Sequence, residues 1–363
     1  MVNKIIRTPH GILKTPFFMP DATRGFVKLL SNDDLFRTGV EAMVVNTFHL
    51  YLQPGLKIIK RAKGIHNFMN WQKPLLSDSG GFQVFSLIHR NKSMGKIYDD
   101  RVEFRSPLDG SKHVLTPEKS IQIQFDLGVD MMVCLDDCPP NDCGDLVLKL
   151  AVDHTIAWAK RCAVEYEKQL KKRKIKEGKR PLIFCVIQGG ADLSLRQKCL
   201  DGLMAVAPKT GWDGYGFGAM PVDLEGKFLA EILKKTAEMI PENALRFALG
   251  LGTPADIASC VGFGWDMFDC VIPTREGRHG RLFKSKIKNQ KSKISYETLN
   301  INNAKFKTDF SPINLGSKLP ELRNYSKAYL NHLFKLKDPL GQRLASLNNL
   351  EFYNDLLKNL RKN

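Results

Sequence analysis

Long apolar segments are missing from this sequence of 363 residues. No apolar run has the length that a bilayer-spanning helix requires. The first residues, from Met1 to Arg7, do not contain the apolar core of a secretory signal peptide. Both absences argue against a membrane or secreted protein, and we expect a cytoplasmic protein without membrane contacts.

Paired cysteines are also missing. The eight cysteines lie between Cys134 and Cys270, and no two of them form a CxxC pair. In a chain of this size, this distribution indicates reduced thiols rather than a disulfide framework, and it lacks the spacing of a zinc ribbon. No GxGxxG motif follows the first predicted strand, which argues against a dinucleotide-binding open sheet.

The sequence has instead a large excess of positive charge. Its formal net charge is +17, with 43% hydrophobic and 26% charged residues. Residues 274–363 hold 19 Lys and Arg against 7 Asp and Glu, a net +12, and a second basic cluster runs from Lys168 to Arg180. Such an excess favours a polyanionic partner, above all a nucleic acid, while a solvated basic surface is the alternative interpretation.

Eight short apolar runs alternate with segments of helical periodicity. The predicted strands are Phe17–Pro20, Ala42–Phe48, Pro74–Gly80, Met131–Cys138, Leu182–Gly190, Gly214–Met220, Arg246–Gly252 and Met267–Pro273. The predicted helices include Glu118–Leu127, Val147–Leu170, Leu193–Ala205, Glu225–Met239 and Pro254–Gly262. Apolar strands separated by helices are typical of a parallel sheet covered on both sides. Eight such units predict an α/β fold, a (β/α)8 TIM barrel over residues 1–283, with a doubly wound open sheet as the alternative.

A helical and basic C-terminal appendage, residues 284–363, is predicted to pack on the barrel. In it, Lys284–Lys293 has the composition of a hairpin or loop, and Tyr325–Lys337 and Leu344–Leu360 have helical periodicity. Within the barrel, the long polar segment Ile88–Asp100 follows the third strand, and we expect it to be a mobile lid.

Polar side chains are concentrated where the predicted strands end. They are Asn46, Thr47, Asp78, Ser79, Asp136, Asp137, Gln188 and Asp269. The carboxyl ends of all strands meet at one mouth of a barrel, where active sites form. A single residue such as Asp78 or Asp136 has the alternative role of a helix N-cap. The whole set, however, predicts a site.

The stretch Met267–Arg281 combines an acid with a basic loop. Asp269 lies in the apolar strand, the strand breaks at Pro273, and three arginines follow at intervals of three residues. This arrangement indicates a reactive carboxylate beside an anionic polymer.

The mouth offers the groups needed to hold a flat heterocycle beside such a carboxylate. Several carboxylates can act as nucleophile, as general acid/base and as reader of a substrate amide edge. Gln188, followed by two glycines, and the backbone of residues 216–220 offer hydrogen-bonding groups. The sequence therefore predicts glycosidic-bond chemistry on a nucleoside.

Six motifs identify a family. They are residues 46–50 (NTFHL), 77–84 (SDSGGFQV), 136–138 (DDC), 187–190 (IQGG), 268–275 (FDCVIPTR) and 323–326 (RNYS). Through them the chain closely resembles the queuine tRNA-ribosyltransferases, or tRNA-guanine transglycosylases, of the bacterial type. Members are (β/α)8 barrels that exchange the wobble guanine of tRNAs with a G-U-N anticodon for a 7-deazaguanine base in queuosine biosynthesis. The resemblance implies tRNA and a 7-deazaguanine base as partners, and a homodimer.

The resemblance also implies roles for individual residues. Asp269 matches the nucleophile, which forms a covalent ester with C1′ of the wobble ribose, and Asp78 matches the general acid/base. The implied substrate-binding residues are Asp136, Gln188, Ala219, Met220, Phe82 (stacking on the base), Asn46 (near ribose and nucleophile), Ser79, Gln83, Cys138 and Val222. The implied tRNA contacts are Thr274, Arg275, Arg278 and Arg281.

The size of the implied pocket bears on the incoming base. Cys138 and Val222 match the bulkier bacterial pocket, which implies 7-aminomethyl-7-deazaguanine rather than queuine. The family has a glutamate that supports the backbone turn accepting the aminomethyl cation. Here Asp223-Leu224-Glu225 takes its place, so Asp223 or Glu225 would have to supply this support.

The family's structural zinc site is a larger departure. Its three cysteines and one histidine fall on Ser317, Leu319, Leu322 and Asn348 in this sequence. None of these side chains is a usual zinc ligand. We therefore expect no metal and no cofactor, with an apolar cluster of Leu315, Leu319 and Leu322 in place of the zinc.

Three other functions stay open at this point. A non-catalytic tRNA-binding partner subunit is disfavoured because Asp269 and Asp78 are both present. An archaeal-type enzyme acting on the tRNA D-loop is expected to need an appended RNA-binding module. A generic glycosidase would leave Asp136, Gln188 and the basic tail without a role.

Overall fold

The computed structural model describes residues 3–223, 225–285 and 296–362. Its centre is a sheet of eight parallel strands, as predicted. They are Phe17–Pro20, Met43–Val45, Leu75–Ser77, Met131–Val133, Leu182–Ile187, Gly214–Phe217, Leu245–Ala248 and Met267–Cys270. All eight predicted strands are present, but seven end before the predicted residue. The apolar runs continue into the loops at the mouth, where ladder hydrogen bonds no longer form.

The sheet closes into a barrel. The strands follow one another in chain order around it, and the eighth pairs in parallel with the first. A parallel bridge between Asp21 and Val44 joins the first strand to the second. The prediction of a (β/α)8 barrel is confirmed, and the open sheet is wrong.

Alternate strand residues fill the barrel interior. Phe17, Met19, Val44, Leu76, Met131, Val133, Phe184, Val186, Phe247 and Met267 form one buried apolar cluster. The side chains between them pack outward against the helices in a second cluster. Because strand side chains alternate, a residue two positions beyond the last inward apolar residue points to the mouth.

Helices surround the barrel. They are Asn32–Arg37, Thr47–Leu50, Leu56–Arg61, Ile65–Met69, Gly81–Arg90, Pro117–Leu127, Asp145–Lys172, Leu193–Ala205, Ala230–Met239, Pro254–Gly262 and Ile272–Arg278. The predicted helix Glu225–Met239 starts later than expected, at Ala230. The preceding residues form a turn that is closed by a bridge between Val222 and Phe228. No helix in the described ranges has the length and apolar character to cross a bilayer.

The predicted lid is part of a small sheet. After a short 3-10 helix, Lys92–Met94, the strands Gly95–Ile97, Val102–Arg105 and Lys112–Leu115 pair antiparallel. The indole N–H of Trp158 donates to the Asp99 carbonyl at 2.6 Å. This anchoring does not fit a free lid over the mouth.

The C-terminal appendage begins with a two-stranded sheet that is separate from the barrel sheet. Strands Arg281–Ser285 and Tyr296–Asn300 pair antiparallel, so the predicted boundary after residue 283 falls inside a strand. Most of Lys284–Lys293 lies outside the described residues. The helices are Ala304–Thr308 (3-10), Pro320–Asn324, Lys327–Lys335 and Pro339–Leu360.

The last helix joins the appendage to the barrel. Its residues Leu350, Tyr353 and Leu357 belong to the main core. It packs closely on the helix Ile272–Arg278, where a Cβ on Gly277 would lie 2.8 Å from the backbone of Ser346. This close approach of two helices requires glycine.

Candidate active site

A cavity of about 770 Å³ lies at the carboxyl ends of the barrel strands. It is lined by twelve of the predicted site residues: Asn46, Asp78, Ser79, Phe82, Gln83, Asp136, Cys138, Ala219, Met220, Val222, Asp269 and Arg275. The alternation of the strands explains the convergence. Asn46, Asp78 and Asp269 each follow an inward apolar residue by two positions.

Asp269 lies on the eighth strand with one oxygen held in place. The backbone N–H of Gly250, from the turn that follows the neighbouring seventh strand, donates to its Oδ1 at 2.9 Å. Burial raises the pKa of the Asp269 carboxyl to about 7, opposed by the Gly250 N–H and assisted by the charge of Asp21. A carboxylate that is poorly solvated and held by one donor is a suitable nucleophile.

Asp78 is held by three donors. The backbone N–H groups of Thr47 and Gly80 donate to its Oδ1 at 2.9 and 3.1 Å, and the Asn46 amide donates to Oδ2. Burial raises the pKa of Asp78 to about 7, with the charges of Asp21 and Asp269 assisting. Near neutral pH one of these two carboxyls can therefore carry a proton while the other is ionised, which is the arrangement that the predicted acid/base chemistry requires.

Asn46 has a different contact from the predicted one. Its amide N–H is bonded to Asp78, and its oxygen caps the helix Thr47–Leu50 by accepting from the N–H of His49. It therefore orients Asp78, the predicted general acid/base, while its place near the ribose and the nucleophile stays a prediction.

Asp136 follows the fourth strand, across the barrel from the eighth strand that carries Asp269, and belongs to the predicted base pocket. The amide of Gln188 donates to its Oδ2 at 2.7 Å. Burial raises the pKa of Asp136 to about 6, opposed by hydrogen bonds from Gln188 and Ser79. Gln188 itself is fully buried behind the cavity lining, packed against Gly218, where a Cβ would overlap the amide at 2.5 Å.

Two amide oxygens of the site have no partner. Within the described part of the chain, Gln83 Oε1 and Gln188 Oε1 are buried and accept no hydrogen bond. An unpaired buried acceptor costs free energy, which a hydrogen bond from a ligand or a water molecule would recover. Phe82 is 52% exposed and offers an open ring face at the mouth. Burial raises the pKa of Cys138 to about 12, so its thiol is a neutral lining group.

Asn141 supports the turn at Ala219–Val222 but is not among the predicted site residues. Its amide donates to the Val222 carbonyl at 2.7 Å, and its oxygen accepts from the Met220 N–H at 3.3 Å. Ala219 has a φ of 83°, a strained conformation for a residue with a side chain. Asp223 accepts from the N–H groups of Glu225 and Lys227 and supports only its own turn. Leu224 lies outside the described residues.

Arg196 is a second unpredicted residue, buried beneath the pocket. Its guanidinium donates to the carbonyls of Gly190, Ile187 and Gly218 at 2.8, 3.2 and 3.0 Å. It also lies 3.9 Å from the ring centroid of Phe217. Burial lowers the pKa of Arg196 to about 9. One side chain thus fixes both backbone segments that frame Gln188.

Comparisons with known proteins identify the family of this chain. The sequence model of the family "Queuine tRNA-ribosyltransferase" matches residues 4–363. A queuine tRNA-ribosyltransferase of Halothermothrix orenii is 39% identical over 356 residues, which is 98% of this chain and 88% of the relative. One of Caldanaerobacter subterraneus is 41% identical over 358 residues, 99% of this chain and 88% of the relative.

The chain belongs to the queuine tRNA-ribosyltransferase family.

In this member of the queuine tRNA-ribosyltransferase family, the basic stretch after the nucleophile position is a helix. The predicted loop is wrong, because Pro273 occupies the first turn of Ile272–Arg278, where proline is favoured. Arg275 is exposed and lines the cavity, whereas Arg278 is half-buried. The Arg281 side chain lies 3.3 Å from Glu276.

Three predicted polar residues of the mouth have structural partners. Thr274 is buried, and its hydroxyl donates to the Val271 carbonyl at 3.2 Å, so its side chain is not on the RNA-facing surface. The hydroxyl of Thr47 donates to the Asp78 carbonyl at 2.5 Å. Asp137 points away from the cavity and binds His154 at 2.9 Å.

The basic cluster Lys168–Arg180 is far from the mouth. It precedes the fifth strand, at the opposite end of the barrel. Its arginines Arg173 and Arg180 are paired with Asp126 and Asp213 at 2.5 and 2.6 Å. This cluster is a solvated and paired surface.

The residues that the resemblance places at the zinc positions do not fit a zinc ion. The Ser317 hydroxyl donates to Glu351 at 2.5 Å, and the amide of Asn348 donates to the Phe283 carbonyl at 2.9 Å. Leu319 and Leu322 are buried in an apolar cluster with neighbouring helices. The expected third member, Leu315, is 74% exposed, so the prediction is wrong for this residue.

A second group of possible ligands lies at the other end of the barrel. His10 Nδ1 and His66 Nε2 lie 2.9 and 3.1 Å from the two oxygens of Asp130. The two rings are stacked at 3.6 Å with an angle of 14°. Imidazole lone pairs lie in the ring plane, so stacked parallel rings cannot both point to one ion. The group fits hydrogen bonding that ties the N-terminal hairpin, Ile5–Thr8 and Gly11–Lys14, to the barrel.

Proposed function

We propose that this protein is a tRNA-guanine transglycosylase that acts on the wobble guanine of tRNAs with a G-U-N anticodon. The observation that carries the proposal is the pair Asp269 and Asp78. Both line one cavity beside a base-sized pocket, and the pKa of each is raised to about 7. Family membership supplies the class of substrate.

The reaction begins with a displacement at the ribose. An oxygen of Asp269 attacks C1′, the C1′–N9 bond breaks, and its electron pair leaves with the guanine. Asp78 gives its proton to the departing base. The tRNA is then held as an ester of Asp269. To reach the cavity, the nucleotide leaves its stack in the anticodon loop, which costs a few kcal/mol.

The second displacement reverses the first with another base. The incoming 7-deazaguanine gives its N9 proton to Asp78 and attacks C1′, and the ester oxygen returns to Asp269 as a carboxylate. The configuration at C1′ is retained after two inversions, as in retaining glycosidases. The enzyme ends in its starting protonation state.

The base pocket fits the donor edge of a guanine-like ring. The N1–H and N2–H groups of guanine are donors, and Asp136 and the unpaired Gln188 Oε1 are acceptors. Phe82 provides the stacking face at the mouth. Because an unpaired acceptor rejects a ring that lacks the donor, this set discriminates against adenine.

The incoming base is proposed to be 7-aminomethyl-7-deazaguanine. Cys138 and Val222 narrow the lining, and Asn141 holds the Met220–Val222 backbone whose carbonyls can accept the aminomethyl cation. Arg275 and Arg278 would hold the neighbouring anticodon nucleotides, with the basic C-terminal surface on the phosphates. We also propose that no structural zinc is bound, and that the protein forms a homodimer in the cytoplasm.

Incorporation of labelled guanine into an unmodified tRNA with a G-U-N anticodon tests the proposal. The wild type should incorporate label, and a tRNA with adenine at the wobble position should receive none. Asp269→Asn should reduce the rate at least about 10³-fold. No incorporation by a folded wild-type protein would contradict the proposal. A competition between guanine, 7-aminomethyl-7-deazaguanine and queuine identifies the incoming base.

A further inference from the structure

Asp21 is an acidic residue of the cavity that the proposed reaction does not use. It follows Met19 by two positions at the end of the first strand and therefore points to the mouth with the other inward residues. Met19 is in register with Asp269 on one side, and Asp21 is bridged to Val44 on the other. Asp21 thus lies between the strand of the nucleophile and the strand of Asn46.

The carboxylate of Asp21 is fixed by one of its oxygens. The backbone N–H and the hydroxyl of Thr23 both donate to Oδ1, at 2.7 and 2.6 Å. No hydrogen bond to Oδ2, and no cation within ion-pair distance, is found in residues 3–223, 225–285 and 296–362. Asp21 is half-buried and lines the cavity, so this oxygen is available to a hydrogen-bond donor of a ligand.

Asp21 interacts electrostatically with both Asp78 and Asp269. Its negative charge contributes to the raised pKa of Asp78 and of Asp269, and on Asp78 it contributes more than Asp269 does. It also raises the pKa of His49, which burial and Arg24 lower more strongly. Asp21 therefore lies close to both carboxyls, in the lining of the same cavity.

The chemistry of a polynucleotide limits which donor can reach this oxygen. The 3′ and 5′ oxygens of the wobble ribose are esterified, and phosphates are acceptors. The base donors are directed to Asp136, across the cavity. The 2′-hydroxyl is the only donor that the ribose retains, and it is attached to the carbon next to C1′.

We propose that Asp21 accepts a hydrogen bond from the 2′-hydroxyl of the nucleotide whose C1′ is attacked by Asp269, so that the site selects RNA over DNA. This inference rests on the proposed transglycosylase reaction. A hydrogen bond to an ionised acceptor is among the stronger ones, and the 2′-hydroxyl is what distinguishes the two nucleic acids at a given position.

A double-mutant cycle that changes both Asp21 and the substrate tests the proposed hydrogen bond to the 2′-hydroxyl. Anticodon stem-loops are compared that carry a ribose or a 2′-deoxyribose at the wobble guanine only. For the wild type, Asp21→Asn and Asp21→Ala, the ratio of kcat/KM between the two stem-loops is measured. Removing the 2′-hydroxyl also changes the intrinsic reactivity of the sugar, but this effect is the same for all three proteins and cancels in the cycle.

The two substitutions remove the acceptor in different ways. In Asp21→Asn, the Thr23 N–H holds the amide oxygen, so the NH₂ group takes the place of Oδ2 and cannot accept.

Asp142→Asn is the matched control, because Asp142 is an exposed acid in a loop of the same mouth that does not line the cavity. Thermal unfolding verifies that each variant is folded. For any variant without turnover, fluorescence anisotropy measures the ratio of binding affinities between the ribose and the deoxyribose stem-loop.

We expect the ribose-to-deoxyribose ratio to be at least about ten-fold larger for the wild type and Asp142→Asn than for the two Asp21 variants. Equal ratios in all four proteins would overturn the assignment of Asp21 while leaving the exchange reaction intact. An absence of exchange by the wild type on the ribose stem-loop would instead contradict the proposed function, and the inference with it.

Discussion

Gln188 and Asp136 form one hydrogen-bonded unit at the back of the base pocket. The Gln188 amide donates to Asp136 at 2.7 Å, and its own buried oxygen has no partner among the described residues. One of the two amide N–H groups of Gln188 is therefore taken up by Asp136, and the unit keeps free acceptor capacity. This polarity matches a ring edge that carries donors, as in guanine.

Replacement of Asp136 by asparagine should weaken binding of the base. Asp136→Asn replaces an ionised acceptor by a neutral amide, which removes about 1.5–3 kcal/mol of hydrogen-bond energy. We expect KM for guanine to rise by about 10–100-fold with a smaller change in kcat. Steady-state exchange kinetics measure it. Asp137→Asn is the control, since Asp137 binds His154 outside the cavity and should leave KM unchanged.

Replacement of Asp269, the proposed nucleophile, should stabilise the protein at alkaline pH. The pKa of Asp269 is raised to about 7 by burial, so the folded protein binds this proton more tightly than the unfolded chain. The resulting stabilisation is complete below about pH 4 and is lost as the pH rises through about 7. In Asp269→Asn the amide stays neutral and can still accept from Gly250.

Urea unfolding of wild type and Asp269→Asn at two pH values measures this effect. At about pH 8.5 the variant should be more stable, on the order of 1–3 kcal/mol, and the difference should shrink at about pH 4.5. The exposed control Asp142→Asn should show no such dependence. A variant that is less stable than the wild type at both pH values would argue against a desolvated carboxylate.

Removal of Arg196 should disturb the pocket from beneath. Arg196→Met removes the donors to Ile187, Gly190 and Gly218, and the segments around Gln188 lose their common support. We expect KM for guanine to rise at least about ten-fold. Arg246→Met is the matched control, because Arg246 also donates to backbone carbonyls, those of Ile240 and Gly264, at the other end of the barrel. Equal effects of both variants on KM would refute a positioning role.

The side chains at the predicted zinc positions lead us to expect that the purified protein contains no structural zinc. Ser317 and Asn348 are committed to hydrogen bonds with Glu351 and Phe283. Elemental analysis of the purified protein should therefore give well below one zinc per chain, and a chelator should leave the thermal unfolding temperature unchanged. Glu351→Ala should destabilise the protein by about 1–3 kcal/mol, because it leaves a buried hydroxyl unpaired. About one zinc per chain would show that another ligand set exists.

The barrel and the meeting of Asp78 and Asp269 in one cavity could be predicted because their signals are local. Short apolar runs between helical segments indicate the strands, and a polar residue two positions beyond an inward apolar residue points to the mouth. Asp21 follows the same rule in residues 17–21 (FFMPD) and could have been found by it. Arg196 could not, because its partners are carbonyls on the ends of two separate strands. Asn141 likewise contacts residues about 80 positions away.

Other predictions failed where one pattern fits two conformations. A proline followed by spaced arginines fits a loop, but Pro273 also suits the first turn of a helix. The polar segment Ile88–Asp100 fits a lid, but a strand paired on one edge can be equally polar. Leu315 fits an apolar cluster by its type, yet the chain turns it to solvent. In each case tertiary contacts decide the conformation, and a short stretch of sequence does not show these contacts.

Mass spectrometry of acid-quenched enzyme tests the central claim most directly. Wild-type protein is mixed with an anticodon stem-loop carrying a wobble guanine and quenched during turnover. We predict a covalent protein–RNA adduct that lacks the guanine and maps to the peptide containing Asp269, and no adduct with Asp269→Asn. Turnover without any adduct, or an adduct of unchanged yield in Asp269→Asn, would contradict Asp269 as the nucleophile.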